Sequence, residues 1–147
     1  MSVDTQGWTL VDLVRRQAER YGEREFVAFE HGTSLSFAAL DSESTRLARN
    51  LAGLGVVPGD RVMAVLKNRV EFMLAMVATM KLGAVFVPIN TELKGSFLQH
   101  QLRNSGPRAL FLDTETTGLA GGAGTLPFLT GLSYFEGCLL YTSDAAD

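Results

Sequence analysis

Cysteine, histidine and proline are scarce in this chain of 147 residues, which contains one cysteine, two histidines and four prolines. A single cysteine, Cys138, excludes a disulfide within the chain and any metal site built from several cysteines. Because proteins without disulfides are typical of reducing compartments, we expect a cytoplasmic location. His31 and His100 have no matched carboxylate or cysteine partner, and we predict no catalytic or metal-binding role for either.

The charged residues show neither a large excess of one sign nor a cluster. Thirteen Lys and Arg stand against sixteen Asp and Glu, which gives a formal net charge of -3. A surface that binds nucleic acid needs a concentrated basic face, and here the basic residues are scattered. We therefore expect no nucleic-acid partner.

A long uninterrupted apolar segment is also missing. The N-terminus lacks the basic start and apolar core of a secretory signal. The longest apolar run, Phe72 to Ile89, is interrupted by Lys81 and Gly83, whereas a membrane span needs about 20 mostly apolar residues. We interpret the run as a buried helix followed by a buried strand. A membrane-anchored protein is the less favoured alternative.

Helical and extended patterns alternate along the chain up to residue 113. This alternation is typical of a parallel sheet whose strands are joined by crossover helices. We therefore predict an α/β fold that forms part of a doubly wound parallel sheet. The predicted helices are Leu10–Tyr21, Phe37–Leu54, Phe72–Met80 and Ser96–Asn104, and the predicted strands are Phe26–Glu30, Arg61–Leu66, Ala84–Ile89 and Ala109–Asp113.

Capping residues and glycines mark the ends of these helices. A Ser, Thr, Asp or Asn side chain accepts a hydrogen bond at the first turn, and glycine adopts the left-handed conformation after the last turn. Asn68 and Glu71 form a capping-box pattern, with Asn68 as the cap. The other predicted caps are Thr9 and Ser36, and the terminating glycines are Gly22, Gly55 and Gly83.

Two of the predicted helices have informative apolar faces. In the second helix the apolar residues recur every three or four positions, and we expect Leu47 and Leu51 to face the sheet. Nearly every residue from Phe72 to Met80 is apolar, so the third helix should be buried all round. In an isolated fragment of a larger protein, we expect this third helix to expose an apolar patch.

Four segments resemble one enzyme family. LSFAAL (Leu35–Leu40) is similar to the first core motif of the adenylating enzymes, and RLARNLAGLGVVPGDRV continues that motif. MKLGAVFVPIN (Met80–Asn90) resembles the second motif, and NSGPRALFLD resembles the helix end and strand that follow it. The chain is thus identified as an N-terminal part of an AMP-forming acyl-CoA synthetase. NTELKGSFLQHQLRNS is most similar to ligases of the carnitine, crotonobetaine and fatty-acid type.

The resemblance implies a reaction of ATP, a small carboxylic acid and CoA, assisted by Mg²⁺, to give an acyl-CoA, AMP and pyrophosphate. In the family, the reaction depends on a Ser/Thr/Gly-rich phosphate loop ending in Pro-Lys-Gly, on an acidic ribose contact and on a lysine in a C-terminal domain. We find none of these in the sequence. We therefore assign no catalytic, cofactor-binding or metal-binding residue, and we expect this chain alone to be inactive.

Two loops resemble functional elements of the family only in part. Thr116-Thr117-Gly118 is similar to the start of the phosphate loop, but no Pro-Lys-Gly follows it, and we interpret it as an ordinary loop. Lys94 lies in a loop where relatives carry an arginine that faces CoA. The position that aligns with that arginine is Glu92, so we assign neither residue a role.

The last ten residues, Cys138 to Asp147, have no counterpart in the family. CLLYTSDAAD is similar to the translated read-through of a sequencing adapter. We therefore predict a partial adenylation domain over residues 1–137 and a non-native tail without evolved contacts over residues 138–147. The alternative is a complete, small, non-catalytic α/β binding module.

Overall fold

The computed structural model describes residues 9–29 and 34–112, and it describes the backbone of residues 139–142. The helices are α1 (Leu10–Tyr21), α2 (Phe37–Gly53), α3 (Val70–Lys81) and α4 (Gly95–Ser105). The strands are β1 (Glu25–Ala28), β2 (Ser34–Ser36), β3 (Arg61–Val65), β4 (Val85–Pro88), β5 (Ala109–Leu112) and β6 (Leu139–Thr142). The predicted elements therefore exist, with small shifts at their ends.

Four of the strands form a parallel sheet in the order β4-β3-β5-β6. In this sheet Met63 of β3 pairs with Val87 on one side and with Leu110 on the other. The chain leaves β3 towards β4 and then returns past β3 to form β5. The predicted α/β fold with crossover helices is thus confirmed.

The parallel sheet is covered on both faces because β3 is apolar on both faces. Val62 and Ala64 belong to a buried cluster that includes Ala75 of α3. Met63 belongs to a second cluster, which includes Leu98 of α4. Since α3 and α4 lie on opposite faces, the arrangement is doubly wound, as predicted.

Helix α3 lies between the sheet and a layer formed by α1 and α2. Ala75 and Ala78 face the sheet cluster, whereas Val77 packs with Val14 of α1 and Leu40 of α2. From residue 72 to residue 80, four side chains are buried and five are half-buried, so the helix is largely covered by elements of this same chain on both of its sides. The exposed apolar patch expected on this helix stays a prediction.

The prediction that Leu47 and Leu51 of α2 face the sheet is confirmed. Leu51 is buried in the cluster with β3 and β5, and Leu47 packs against that cluster. Leu40 instead packs with α1 and α3. The reason is that α3 lies between the N-terminal half of α2 and the sheet.

The helix ends confirm most of the predicted caps. The Thr9 hydroxyl accepts a hydrogen bond from the backbone N–H of Asp12 at 3.1 Å, and the Ser36 hydroxyl accepts one from Ala39 at 3.0 Å. The predicted cap at Asn68 is wrong. Arg69 is the residue before the helix, in an extended conformation, and no side chain caps this end. Asn68 therefore lies one residue too early for a capping box.

The strands depart from the sequence prediction at three places. A hairpin partner, β2, was missed, and it pairs antiparallel with β1. Strand β4 was expected to be buried, but Val85 is 50% exposed and β3 is the only neighbour of β4 among the described residues. Pro88 fits this edge position because proline cannot donate a ladder hydrogen bond.

The backbone of residues 139–142 pairs in parallel with β5. That residues 138–147 are a non-native tail without evolved contacts stays a prediction. Within the part of the chain that the structure describes, no helix is long and apolar enough to cross a membrane.

The buried position of Leu51 gives the first prediction. Leu51 is 1% exposed, whereas Leu54, three residues further along, is 43% exposed. Leu51→Ala should lower the free energy of unfolding by about 2–5 kcal/mol, because it removes packed methyl groups and leaves a cavity. Leu54→Ala, the matched control, should change it by no more than about 0.5 kcal/mol. Urea denaturation followed by circular dichroism measures both, and equal losses would contradict this packing.

Gly83 gives a second prediction, since its backbone has a φ of +69° at the end of α3. An added Cβ would lie 3.5 Å from the Cβ of Pro58, an ordinary contact, so the strain would be in the backbone. Gly83→Val should destabilise the chain by about 1–2 kcal/mol. Gly53→Ala is the control, because Gly53 lies within α2 and has open space around it. That substitution should be neutral or stabilising, and a similar loss in both variants on thermal melting would refute the argument.

Candidate functional site at the carboxyl edge of the sheet

The chain leaves two neighbouring strands, β3 and β4, towards opposite faces of the sheet. After β3 it enters α3 on one face, and after β4 it enters α4 on the other. The two connections diverge where the strands end, which leaves a crevice at their carboxyl ends. In doubly wound folds, such a switch point is where ligands usually bind.

An open cleft of about 400 Å³ lies at this switch point. Residues that directly follow β3 form one wall, and residues at the end of β4 form the other. The described residues that line it are Leu66, Lys67, Asn68, Phe72, Pro88, Ile89, Asn90 and Thr91.

The apolar part of the cleft is held by an aromatic contact. The rings of Phe72 and Phe86 meet edge to face, with centroids 5.4 Å apart, a favourable geometry for aromatic pairs. Phe72 belongs to α3 and Phe86 to β4, so this contact joins an element from each wall. Leu66 is buried beside them, and both rings pack against the same core cluster.

The polar part of the cleft carries one positive charge. Lys67 and Asn68 are exposed and make no hydrogen bond or ion pair with any other described residue. The side-chain oxygen of Asn90 accepts a hydrogen bond from the backbone N–H of Glu92 at 2.9 Å, which shapes the loop after β4. The described lining contains no carboxylate, imidazole or thiol. It can therefore bind a molecule with an apolar part and an anionic group, and Lys67 is the one ionisable side chain in the described lining.

No residue of this cleft was predicted as a site residue from the sequence. A signal was present, since polar residues follow directly after two successive strands, at Lys67-Asn68 and at Asn90-Thr91. Parallel strands bring their carboxyl ends to the same edge of a sheet. Which strands become neighbours, however, follows from the three-dimensional packing.

The residues weighed from the sequence do not assemble into a site. His100 lies exposed on α4, and Glu92 and Lys94 are exposed in the loop before that helix. His31 and Thr116-Thr117-Gly118 lie outside the described residues. Among residues 9–29 and 34–112, no group of three His, Cys, Asp or Glu side chains could hold a metal ion.

Lys81 makes three side-chain hydrogen bonds, and it lies between two helices. Its ammonium group donates to the Asp41 carbonyl at 2.6 Å, to the Asp41 carboxylate at 2.7 Å and to the Thr45 hydroxyl at 2.7 Å. An ammonium has three donors, and all three are used. Lys81 therefore joins α3 to α2 and is not available to a substrate.

The carboxyl of Asp12 has a lowered pKa, and it does not line the cleft. The hydrogen bond from the Thr9 hydroxyl, together with the nearby charge of Arg15, lowers the pKa of Asp12 below its ordinary value. The charged form is thus favoured in the folded state. Its small contribution to stability is present above the ordinary pKa and is lost as the pH falls through the lowered one.

The sequence matches one protein family and several known proteins. Residues 14–131 match the model of a family described as AMP-binding enzyme. The chain is 32% identical over 102 residues to surfactin synthase subunit 1 of Bacillus subtilis, covering 69% of this chain and 3% of that protein. It is 34% identical over 99 residues to the medium/long-chain-fatty-acid–CoA ligase FadD6 of Mycobacterium tuberculosis, covering 67% of this chain and 16% of the ligase.

The fold also matches solved structures. A benzoate CoA ligase from Burkholderia xenovorans superimposes with a TM-score of 0.74 at 22% identity, over 91% of this chain and 25% of that one. At this identity the likeness concerns the fold. The chain thus spans a small part of the length of each of these proteins.

The different surroundings of two lysines give a third prediction. Lys81→Met should lower the free energy of unfolding by about 1–3 kcal/mol, because it leaves the Asp41 carboxylate and the Thr45 hydroxyl without their shared donor. Lys67→Met should change stability by no more than about 0.5 kcal/mol, since Lys67 is exposed and makes no such contacts. Chemical denaturation of the two variants tests this difference. A larger loss for Lys67→Met would contradict the role given to Lys81.

Proposed function

The chain belongs to the AMP-binding enzyme family, and on this premise we propose that it is the N-terminal part of an ATP-dependent, AMP-forming acyl-CoA ligase. The observation that carries the proposal is the family match over residues 14–131. The identity of 34% with a fatty-acid–CoA ligase supports CoA as the acceptor. The location consistent with this function is the cytoplasm, and no nucleic acid takes part.

The proposed reaction has two steps. A carboxylate oxygen attacks the α-phosphorus of ATP, and pyrophosphate leaves to give an acyl-adenylate. The sulfur of CoA then attacks the acyl carbon, and AMP leaves to give the thioester. Both steps need fixed donors for the developing negative charge and a site that excludes water from the mixed anhydride.

In this proposal, the chain contributes the parallel sheet and the cleft, but not the groups that perform the chemistry. A carboxylic acid and CoA each combine an apolar part with negative charge, so the cleft at Phe72 and Lys67 fits the substrate classes of the proposed reaction. The described residues do not fit Mg²⁺, which prefers carboxylate and phosphate oxygens. We assign the magnesium site and the phosphate loop to the rest of a longer enzyme. Within this chain, we assign residues 1–137 to the adenylation domain.

A second function is favoured by a specific observation. The identity of 32% with a surfactin synthase subunit extends over 102 residues. An adenylating domain that passes its acyl group to a carrier protein would share the first reaction step and differ in the thiol acceptor. The acceptor therefore discriminates between the two functions. The small binding module, by contrast, would catalyse neither step.

The fourth prediction tests the function with the longer gene, amplified from its source DNA beyond residue 137. The longer protein should catalyse ATP–pyrophosphate exchange that depends on an added carboxylic acid, and it should form a thioester when CoA is supplied. The 147-residue chain should show no exchange above a heat-killed control, because it lacks a phosphate loop. Thioester formation on a carrier protein alone would favour the second function.

Two outcomes would contradict the proposal outright. The first is measurable exchange by the 147-residue chain itself. The second is a genuine stop codon directly after Asp147 in independent reads, which would favour the small binding module.

A further inference from the structure

The chain contains three lysines, Lys67, Lys81 and Lys94, and each has a different environment. The ammonium of Lys81 donates hydrogen bonds to Asp41 and Thr45, so all of its donors are used. Lys67 and Lys94 are both exposed. Lys67 lines the cleft, whereas Lys94 is not among the described residues that line it. These two amines therefore share their chemistry and their exposure, and they differ in whether the cleft lies beside them.

Lys67 directly follows β3 and lies beside the apolar surface of the cleft. That surface is formed by Leu66, Phe72 and Ile89, among others. The ammonium of Lys67 makes no hydrogen bond or ion pair with any other described residue, and the described lining contains no carboxylate that would compete for it. The four-carbon stem of a lysine is flexible. The amine can therefore reach a molecule that packs against this apolar surface.

An acyl-adenylate combines the two features that this cleft can hold. An apolar acyl chain and an anionic phosphate flank its electrophilic carbonyl carbon. Packing of the acyl chain against Phe72 and attraction of the phosphate by Lys67 bring that carbon close to the amine nitrogen. A reaction between two groups that are held together in this way is faster than the same reaction between free molecules.

We propose that Lys67 is an acylation site of this protein, which reacts with the acyl-adenylate of an apolar carboxylic acid. The source of the acyl-adenylate rests on the proposed function, because the ligase reaction forms this mixed anhydride. The site itself rests on the cleft and on the exposure of Lys67 beside it. Acylation removes the positive charge of the lysine and leaves an acyl chain beside the apolar surface. The modified cleft is therefore blocked for a second molecule of this kind.

The chemical step is the transfer of the acyl group from the phosphate oxygen to the lysine nitrogen. The ammonium of Lys67 first loses one proton to water, because only the neutral amine is nucleophilic. Its lone pair attacks the acyl carbon and forms a C–N bond. The bond between this carbon and the phosphate oxygen breaks, AMP leaves with the electron pair, and the nitrogen gives a second proton to water. The products are an amide and AMP, without oxidation or reduction.

Acylation of the 147-residue chain by synthetic acyl-adenylates tests the proposal. Octanoyl-adenylate and acetyl-adenylate carry the same phosphate and the same reactive carbonyl group, and they differ in the length of the acyl chain. Proteolysis and mass spectrometry give the rate of amide formation at Lys67 and at Lys94 in the same sample. The ratio of these two rates is independent of the amount of adenylate that is lost to hydrolysis.

The rate at Lys67 relative to Lys94 should be several-fold higher with octanoyl-adenylate than with acetyl-adenylate, because the longer acyl chain covers more of the apolar surface. In the chain unfolded by urea, this dependence on acyl-chain length should disappear. A ratio that does not change with acyl-chain length in the folded chain would overturn the proposal. A ratio that changes equally in the folded and the unfolded chain would overturn it as well.

A charge variant tests the role of the phosphate. Asn90 lines the cleft, and its side-chain oxygen accepts a hydrogen bond from the backbone N–H of Glu92, which an aspartate oxygen can also accept. Asn90→Asp should lower the rate at Lys67 several-fold relative to Lys94, because the added negative charge repels the phosphate. Asn104→Asp is the matched control, since Asn104 is exposed on α4 and is not among the described lining residues. Equal effects of the two variants would overturn the binding of the adenylate in the cleft.

These assays contain neither ATP nor a free carboxylic acid. Their failure would leave the proposed ligase function untouched. Failure of ATP–pyrophosphate exchange in the longer protein would remove the source of the acyl-adenylate, but it would leave the measured reactivity of Lys67 as it is.

Discussion

The burial of α3 between the sheet and the layer of α1 and α2 is the contact on which the rest of the structure depends. The helix presents small residues to the sheet, such as Ala75 and Ala78, which lets it lie close to β3. Its opposite side is covered by residues of α1 and α2, including Val14 and Leu40. Without both contacts, an apolar helix with almost no polar face would be exposed to water on one side.

The same helix sets the geometry of the cleft. Near its start Phe72 forms part of the cleft, and after its end Gly83 turns the chain into β4, which forms the second wall. Lys81, the last residue of α3, ties α3 to α2 through Asp41 and Thr45. The position of both walls is therefore coupled to the packing of one helix, although the residues that line the cleft are mostly in the loops.

This chain covers only a small share of the length of its relatives. The described residues form a sheet with both faces covered. The sequence matches the family of adenylating enzymes over most of the chain. Yet the chain spans 3% of one relative and 16% of another. Local packing can be complete in such a part because each crossover unit buries its own helix against the neighbouring strands.

Local chemistry explains what could be predicted from the amino-acid order. Hydrophobic periodicity located all four helices, and side-chain caps at Thr9 and Ser36 placed the starts of two of them. The positive φ at Gly83 was predictable because glycine alone adopts it without strain. The family resemblance and the α/β class also followed from the sequence, since they depend on motifs and on the alternation of elements along the chain.

Only the tertiary structure decided which elements became neighbours. Contacts between residues far apart in sequence set the edge position of β4, the partial contact of α2 with the sheet and the pairing of β6 with β5. The cleft belongs to the same class, because Lys67 and Asn90 come together only when β3 and β4 lie side by side. A periodic pattern shows that a face is apolar, but not which surface covers it, since many partners bury the same area equally well.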